Sequence, residues 1–144
     1  MDSTQVHVIK ISEPSQMELA WKIRKKVFVE EQQVDESMEW ENEEESTHFL
    51  AYIDEQAVGT ARWRDSGKGI KLERFAVLAD FRNHGVGGAL VEAVLNDVPK
   101  QKRIYLHAQV AAEKFYARHG FKPAGLLFYE AGIGHYLMEI APKD

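Results

Sequence analysis

The period of hydrophobic and polar positions changes several times along the chain, and each change marks an element. Val6 and Val8 alternate with polar neighbours before Ile9 and Ile11 take over the opposite parity, which predicts a strand over Val6–Ile11 with a slip in its pattern. Ser15-Gln16-Met17-Glu18 has the form of a capping box, in which a hydroxyl and a carboxylate three residues on satisfy otherwise orphaned amides. Met17, Ala20, Trp21, Ile23, Val27 and Phe28 follow at three- and four-residue spacings, with Lys22, Arg24, Lys25 and Lys26 opposite, so this is a surface helix packed along one stripe. Around Trp40 no period is visible, and a loop or short helix is expected there.

Thr47–Ile53 and Ala57–Arg64 read as strands joined in a hairpin through Asp54-Glu55-Gln56, and Ser66-Gly67-Lys68-Gly69 makes a second turn. Ile70–Leu78 is the next strand; strict alternation puts Glu73, Phe75 and Val77 on one face and Leu72, Arg74 and Ala76 on the other. A glycine-rich turn leads into a helix burying Val86, Leu90, Val91, Val94, Leu95 and Val98 and ending at Pro99. Arg103–Gln109 is a strand with Ile104, Leu106 and Ala108 facing one way and Tyr105, His107 and Gln109 the other. Val110–His119 is a helix stopped by Gly120, with Ala112, Phe115, Tyr116 and His119 as its buried stripe, and Phe121–Phe128 and His135–Ala141 are two closing strands around Gly132-Ile133-Gly134. Hairpins demand antiparallel pairs, strand–helix–strand crossovers demand parallel ones, and together they predict an α/β (α+β) domain: a mixed, mostly antiparallel sheet flanked by helices.

With 144 residues, 44% apolar and 28% charged, and neither repeats nor a low-complexity linker, one globular domain is expected over residues 1–144. The lack of cysteine excludes disulfides, thiolate metal sites and a catalytic thiol. Met1–His7 has no basic start followed by an apolar run, and no stretch approaches 18 apolar residues, so the cytoplasm is the expected compartment and no membrane partner is expected. The net charge of −5 conceals an asymmetry: Glu30–Glu45 holds nine acids and no Lys or Arg, which leaves +4 on the remainder. That distribution, with a pI near 5.7, disfavours nucleic acid as a partner. The acidic segment is either a solvated face or a feature that gathers a cationic acceptor.

Arg82-Asn83-His84-Gly85-Val86-Gly87-Gly88 joins a strand directly to a helix. Unpartnered amides of the first helical turn and the helix dipole suit a phosphate there, with Arg82 and His84 as side-chain donors; close strand–helix packing explains the glycines equally well. The Walker pattern fails for want of a Lys-Ser or Lys-Thr after the glycines, and only Gly85-Val86-Gly87-Gly88 of a dinucleotide fingerprint is present. No Gly-x-Ser-x-Gly occurs, and His7, His48, His84, His107, His119 and His135 show no metal-binding spacing, so neither a serine hydrolase nor a metal is expected.

Arg82-Asn83-His84-Gly85-Val86-Gly87 resembles the Arg/Gln-x-x-Gly-x-Gly/Ala signature of the GNAT superfamily of acyl-CoA N-acyltransferases. Phe75-Ala76-Val77 looks like that family's splayed, pantetheine-receiving strand, and Val110–Phe121 looks like its Ala-x-x-x-Tyr-x-x-x-Gly-Phe motif. The Ile23–Gln32 run is similar to one small bacterial branch. The resemblance implies direct transfer of an acetyl group from acetyl-CoA, as co-substrate, to a small-molecule or peptide amine within a ternary complex. It implies cofactor contacts at Phe75, Ala76, Val77, Arg82, Asn83, His84, Gly85, Val86, Gly87 and Gly88. Gln109 stands where many members have a cofactor-contacting Asn. Tyr116 matches the tyrosine that protonates the departing sulfur; without the resemblance it reads as a core tyrosine. For the base, Glu73 and His107 compete: the first shares a face with Phe75 and Val77, and an imidazole titrates nearest neutrality. An acyl-CoA-binding regulatory module without turnover and a nucleotide-binding module are the competing classes, and the chain is a monomer or a homodimer.

Overall fold

The computed structural model describes residues 5–39 and 41–142. Its elements are β1 Val6–Lys10, α1 Pro14–Arg24 continuing as a π-helical segment Lys25–Glu31, a single turn α2 Glu36–Glu39, β2 Thr47–Ile53, β3 Gln56–Asp65 and β4 Ile70–Val77. There follow α3 Val86–Asp97, β5 Ile104–Gln109, α4 Glu113–Arg118, β6 Lys122–Pro123, β7 Phe128–Glu130 and β8 Ile133–Ile140. One sheet runs in the order β1-β2-β3-β4-β5-β8-β6, with β7 also on β8. Among the described strands only the β4–β5 pair is parallel. The fold is the mixed, mostly antiparallel sheet between helices that the pattern predicts.

The slip in β1 has a structural cause, because both faces of the sheet are covered. Val6 and Val8 pack into the cluster that α3 shares with Leu72, Leu90, Val91 and Leu106; Ile9 and Ile11 pack into the cluster of α1 with Ala20, Ile23, Leu50 and Ala76. A strand apolar on both faces cannot show clean alternation.

Several expectations are corrected. The box that opens α1 lies earlier than Ser15–Glu18: Gln16 Oε1 accepts from the amides of Ser12 at 2.8 Å and Glu13 at 3.1 Å, with Pro14 in the first turn. Within α1, Trp21 is 41% exposed whereas Arg24 is 1% exposed, the reverse of the amphipathic assignment. The reason is a distant carboxylate: Glu43 takes Arg24 Nη2 at 2.7 Å and the Trp21 indole N–H at 2.7 Å. The last helix is shorter than Val110–His119, opening with a 3-10 turn before α4 and closing at Gly120 with φ +95. Of Phe121–Phe128 only Lys122–Pro123 and Phe128 pair as strand. The Ala124 amide still bonds Leu137 O at 2.8 Å, and the chain leaves the sheet after it, at Gly125.

Candidate active site

Parallel pairing between β4 and β5 covers only Ile70–Leu72 against Ile104–Leu106. Past Leu72 the strands part. The cause lies in β4, where Arg74 adopts φ +59 and the register with β3 slips from Arg62↔Glu73 to Thr60↔Ala76. This bulge bends β4 away from its neighbour. It also overturns the alternation read from sequence: Leu72, Phe75 and Val77 pack toward α3, while Ala76 lies in the α1 cluster.

The parted strands enclose a cavity of about 390 Å³. Glu73 and Phe75 line it from β4, His107 and Gln109 from β5, Tyr116 from α4, and Glu130 and His135 from the β7–β8 hairpin. Phe28 and Gln32 close it from the π-helical segment, whose wider turn is seen in the Gln32 amide bonding Val27 O at 3.0 Å. The extra residue per turn keeps Val27 in the α1 cluster while bringing Phe28 and Gln32 to the cavity. Gln109 Nε2 donates to Gln32 Oε1 at 3.0 Å and so joins this segment to β5.

At the other end of the splay stands the glycine-rich turn. Gly85 caps α3 with φ +82, and a Cβ built there meets nothing within 4 Å, so the backbone is open to a ligand. Asn83, with φ +67, also sits in the left-handed region. The Val86 side chain is buried against the core. Gly87 and Gly88 serve packing as well: a Cβ on Gly87 would lie 3.3 Å from Phe115 Cζ, and one on Gly88 would lie 3.6 Å from His119 Nε2. His84 is exposed.

The Arg82 guanidinium does not point outward as a free donor. It holds Glu31 in a fork at 2.7 and 2.8 Å and donates Nε to Val77 O at 3.0 Å, tying the π-helical segment to the end of β4. The hydrogen bond from Arg82 keeps the Glu31 carboxyl below its ordinary range.

Tyr116 is buried, with Phe75, Phe115 and Phe121 edge-on at centroid distances of 5.9, 5.0 and 6.0 Å. Burial pushes its phenol up, which favours the protonated, proton-donating form.

Glu73 stands among cations from β3 and β4. It is buried and meets Arg62 Nη2 at 2.8 Å, Arg64 Nε at 2.8 Å and Lys71 Nζ at 3.2 Å. Burial alone would raise its pKa, but the Arg62 and Lys71 charges and the Arg64 hydrogen bond outweigh it and hold the carboxyl at about 2. A carboxylate so compensated has little basicity left to take a proton from an ammonium. Glu73 is the hub of a charge network.

On the opposite wall, His107 Nδ1 lies 3.0 Å from Glu130 Oε2, and the bond holds Glu130 below its usual range. His135 lies 2.7 Å from Ile133 O through Nδ1, 4.0 Å from Glu130 Oε1 through Nε2, and stacks on Phe128. Glu130 and His135 were not legible as site residues. The available signal was the short hairpin around Gly132, which folds Phe128–Glu130 back onto Ile133–His135 beside β5.

Three acids of the acidic segment are tied down. Glu31 pairs with Arg82, Asp35 accepts from the Ser37 amide and hydroxyl at 2.9 and 2.8 Å, and Glu43 binds Arg24 and Arg62. Among the described residues no cluster of His, Asp and Glu has the arrangement of a metal site. No helix among them is long and apolar enough to cross a membrane.

The chain resembles known proteins over nearly its whole length. The family model of the acetyltransferase (GNAT) domain matches residues 10–142. The N-acetyltransferase YjcF of Bacillus subtilis strain 168 is 37% identical over 127 residues, 85% of this chain and 91% of that one. In structure, an acyl-CoA N-acyltransferase from Pseudomonas aeruginosa superposes with a TM-score of 0.82 at 23% identity, covering 96% of this chain and all of that one. An aminoglycoside 6'-N-acetyltransferase solved with coenzyme A gives 0.74 at 18% identity, covering 96% and 99%. With a family model matched over most of its length and a relative above 30% identity, the chain belongs to the GNAT acetyltransferase family.

Proposed function

We propose that this protein transfers an acetyl group from acetyl-CoA directly to a primary amine in a ternary complex. The observation that carries the reading is the unpaired inner edge of β4 beyond Leu72, which runs from the open backbone at Gly85 to a buried tyrosine beside the cavity. The residues present fit the co-substrate. First-turn amides of α3 and the Asn83–Gly85 backbone suit its diphosphate, and the free edge of Phe75, Ala76 and Val77 suits its amide-bearing arm. Bound acetyl-CoA supplies an activated acyl group.

The chain supplies the rest. A backbone N–H in Phe75–Val77, freed by the bulge, offers a donor where negative charge develops on the acyl oxygen. Tyr116 gives its proton to the departing sulfur. His107, oriented by Glu130, takes the proton that the incoming ammonium must lose, so each proton has a donor and an acceptor. Phe28 and the aromatic cluster around Tyr116 keep the site dry. The test is thiol release from acetyl-CoA across a panel of amines, with calorimetric titration of acetyl-CoA alongside. Release that depends on an amine supports the reading; binding without release on any amine turns it to a regulatory module, and absence of binding removes it.

A further inference from the structure

Glu43 holds donors from both α1 and β3, yet it does not line the cavity. Its Oε1 takes Arg24 Nη2 at 2.7 Å and Arg62 Nη1 at 2.6 Å, and its Oε2 takes the Trp21 indole N–H at 2.7 Å. Both arginines are 1% exposed. Burial would raise the Glu43 carboxyl, but the hydrogen bonds from Arg24 and Trp21 and the Arg24 charge outweigh it and hold the group below its ordinary range. The backbone is fixed as well. Glu43 O lies 3.1 Å from His48 Nε2 and accepts the Ser46 amide at 3.3 Å, while the Ser46 hydroxyl donates to Asn42 O at 2.7 Å. A loop pinned through both carboxylate and carbonyl of one residue cannot shift without parting buried charges.

Two routes lead from Glu43 into the cavity. The first follows the chain: the two preceding residues, Glu41 and Asn42, line the wall, with Asn42 at φ +61. The second runs through Arg62, which is not a lining residue either. Arg62 gives Nη1 to Glu43 and Nε to Glu73 Oε1 at 3.1 Å. Glu73 does line the cavity, and Arg64 and Lys71, which bond to it, line it too. Lining side chains from the loop, β3 and β4 thus take their places from one carboxylate that stands outside the cavity. None of these bonds reaches residues 75–88, the stretch suited to the co-substrate.

We infer that Glu43 is a positioning residue for the acceptor: through Glu41 and Asn42 on one side and Arg62 and Glu73 on the other, it fixes the wall against which the amine is placed before His107. This rests on the acetyltransferase reading, which puts the acceptor in this cavity. A displaced wall holds the bound acceptor less well in ground and transition states alike, so KM rises more than kcat falls. Loss of folded protein has a different signature, because it scales kcat and leaves KM where it was.

The experiment uses Glu43→Gln, which keeps the side chain's shape and removes the charge that Arg24 and Arg62 share, and Glu43→Asp, which keeps the charge and withdraws it by one methylene. With an amine that the wild type acetylates, Glu43→Gln should raise the acceptor KM about tenfold while kcat changes by less than about threefold. Glu43→Asp should show the same split at about threefold in KM, and it carries the test if the glutamine variant does not fold. Acetyl-CoA affinity, read by calorimetry, should be unchanged in both. Without any substrate, hydrogen exchange followed by mass spectrometry should quicken over residues 41–48 and stay as it is over residues 75–88. A fall in kcat at constant KM, unaltered exchange over 41–48, or acetyl-CoA affinity lost along with KM reduces Glu43 to a structural residue and leaves the acetyltransferase reading intact. Failure of the wild type to bind acetyl-CoA, or to acetylate any amine, overturns both.

Discussion

Replacing Glu73 by glutamine isolates the charge network from every other feature of the site. The substitution keeps the shape of the side chain and removes the charge that Arg62, Arg64 and Lys71 share. Displacement of the carboxyl from 4.5 to about 2 corresponds to roughly 3 kcal/mol of native-state stabilisation at neutral pH. The cost of breaking a buried ion pair, about 3–5 kcal/mol, gives the same order. Because the folded pKa lies below the unfolded one, this stabilisation is complete above pH 4.5 and disappears as pH falls through about 2. Urea unfolding of both proteins from pH 7 to pH 2 is the assay. The gap between wild type and Glu73→Gln should be about 3 kcal/mol at pH 7, roughly 6–12 °C in Tm, and should close toward pH 2. Other acids titrate in both proteins and drop out of the difference. A gap under about 1 kcal/mol at pH 7, or one that does not narrow in acid, refutes the network. The same variant tests the base: its pH–rate profile should keep the basic limb, and loss of that limb would return the role to Glu73.

Four further outcomes are expected. Tyr116→Phe should lower kcat by about 10²-fold with acetyl-CoA affinity unchanged, read by turnover and calorimetry on one preparation. His107→Ala should remove the basic limb of the pH–rate profile, and Glu130→Gln should shift it, since that carboxylate holds the ring at 3.0 Å. Gly59→Ala should cost about 1–3 kcal/mol in urea unfolding, because the new Cβ would stand 2.7 Å from Val86 Cγ1 and 3.1 Å from Leu90 Cδ1. Gly85→Ala should weaken acetyl-CoA binding in calorimetry. Its Cβ meets no protein atom, so the cost comes from holding alanine at φ +82, about 1–2 kcal/mol, and from crowding the ligand.

Local signals in the sequence reached as far as local causes do. The strands of the β2–β3 hairpin, the glycine cap of α3, and Gly120 after α4 are each set by residues within a turn of themselves, and each lies where the pattern places it. Strict alternation failed in β4 because Arg74 takes a left-handed conformation that no neighbouring residue type announces. It blurred in β1 because helices cover both sheet faces. Burial of Arg24 was invisible for a related reason: an arginine opposite an apolar stripe is normally solvated, and only a carboxylate 19 positions away at Glu43 makes the inside tolerable.

The same distinction divides the candidate site. The groups suited to the co-substrate lie on two contiguous stretches, 75–88 and 110–121, because a strand edge and a helix terminus bind through backbone, and backbone geometry follows short motifs. The polar wall of the cavity is assembled otherwise. Arg64 from β3, Lys71 from β4, His107 from β5, Glu130 from β7 and His135 from β8 meet only through strand register. A chain can therefore keep its acyl-donor half by holding two motifs while its acceptor half changes through single substitutions scattered over five strands. The chemistry of the cavity should accordingly be altered first by exchanges at such lining residues, Arg64 and Lys71 among them, whose backbones serve only the ladder.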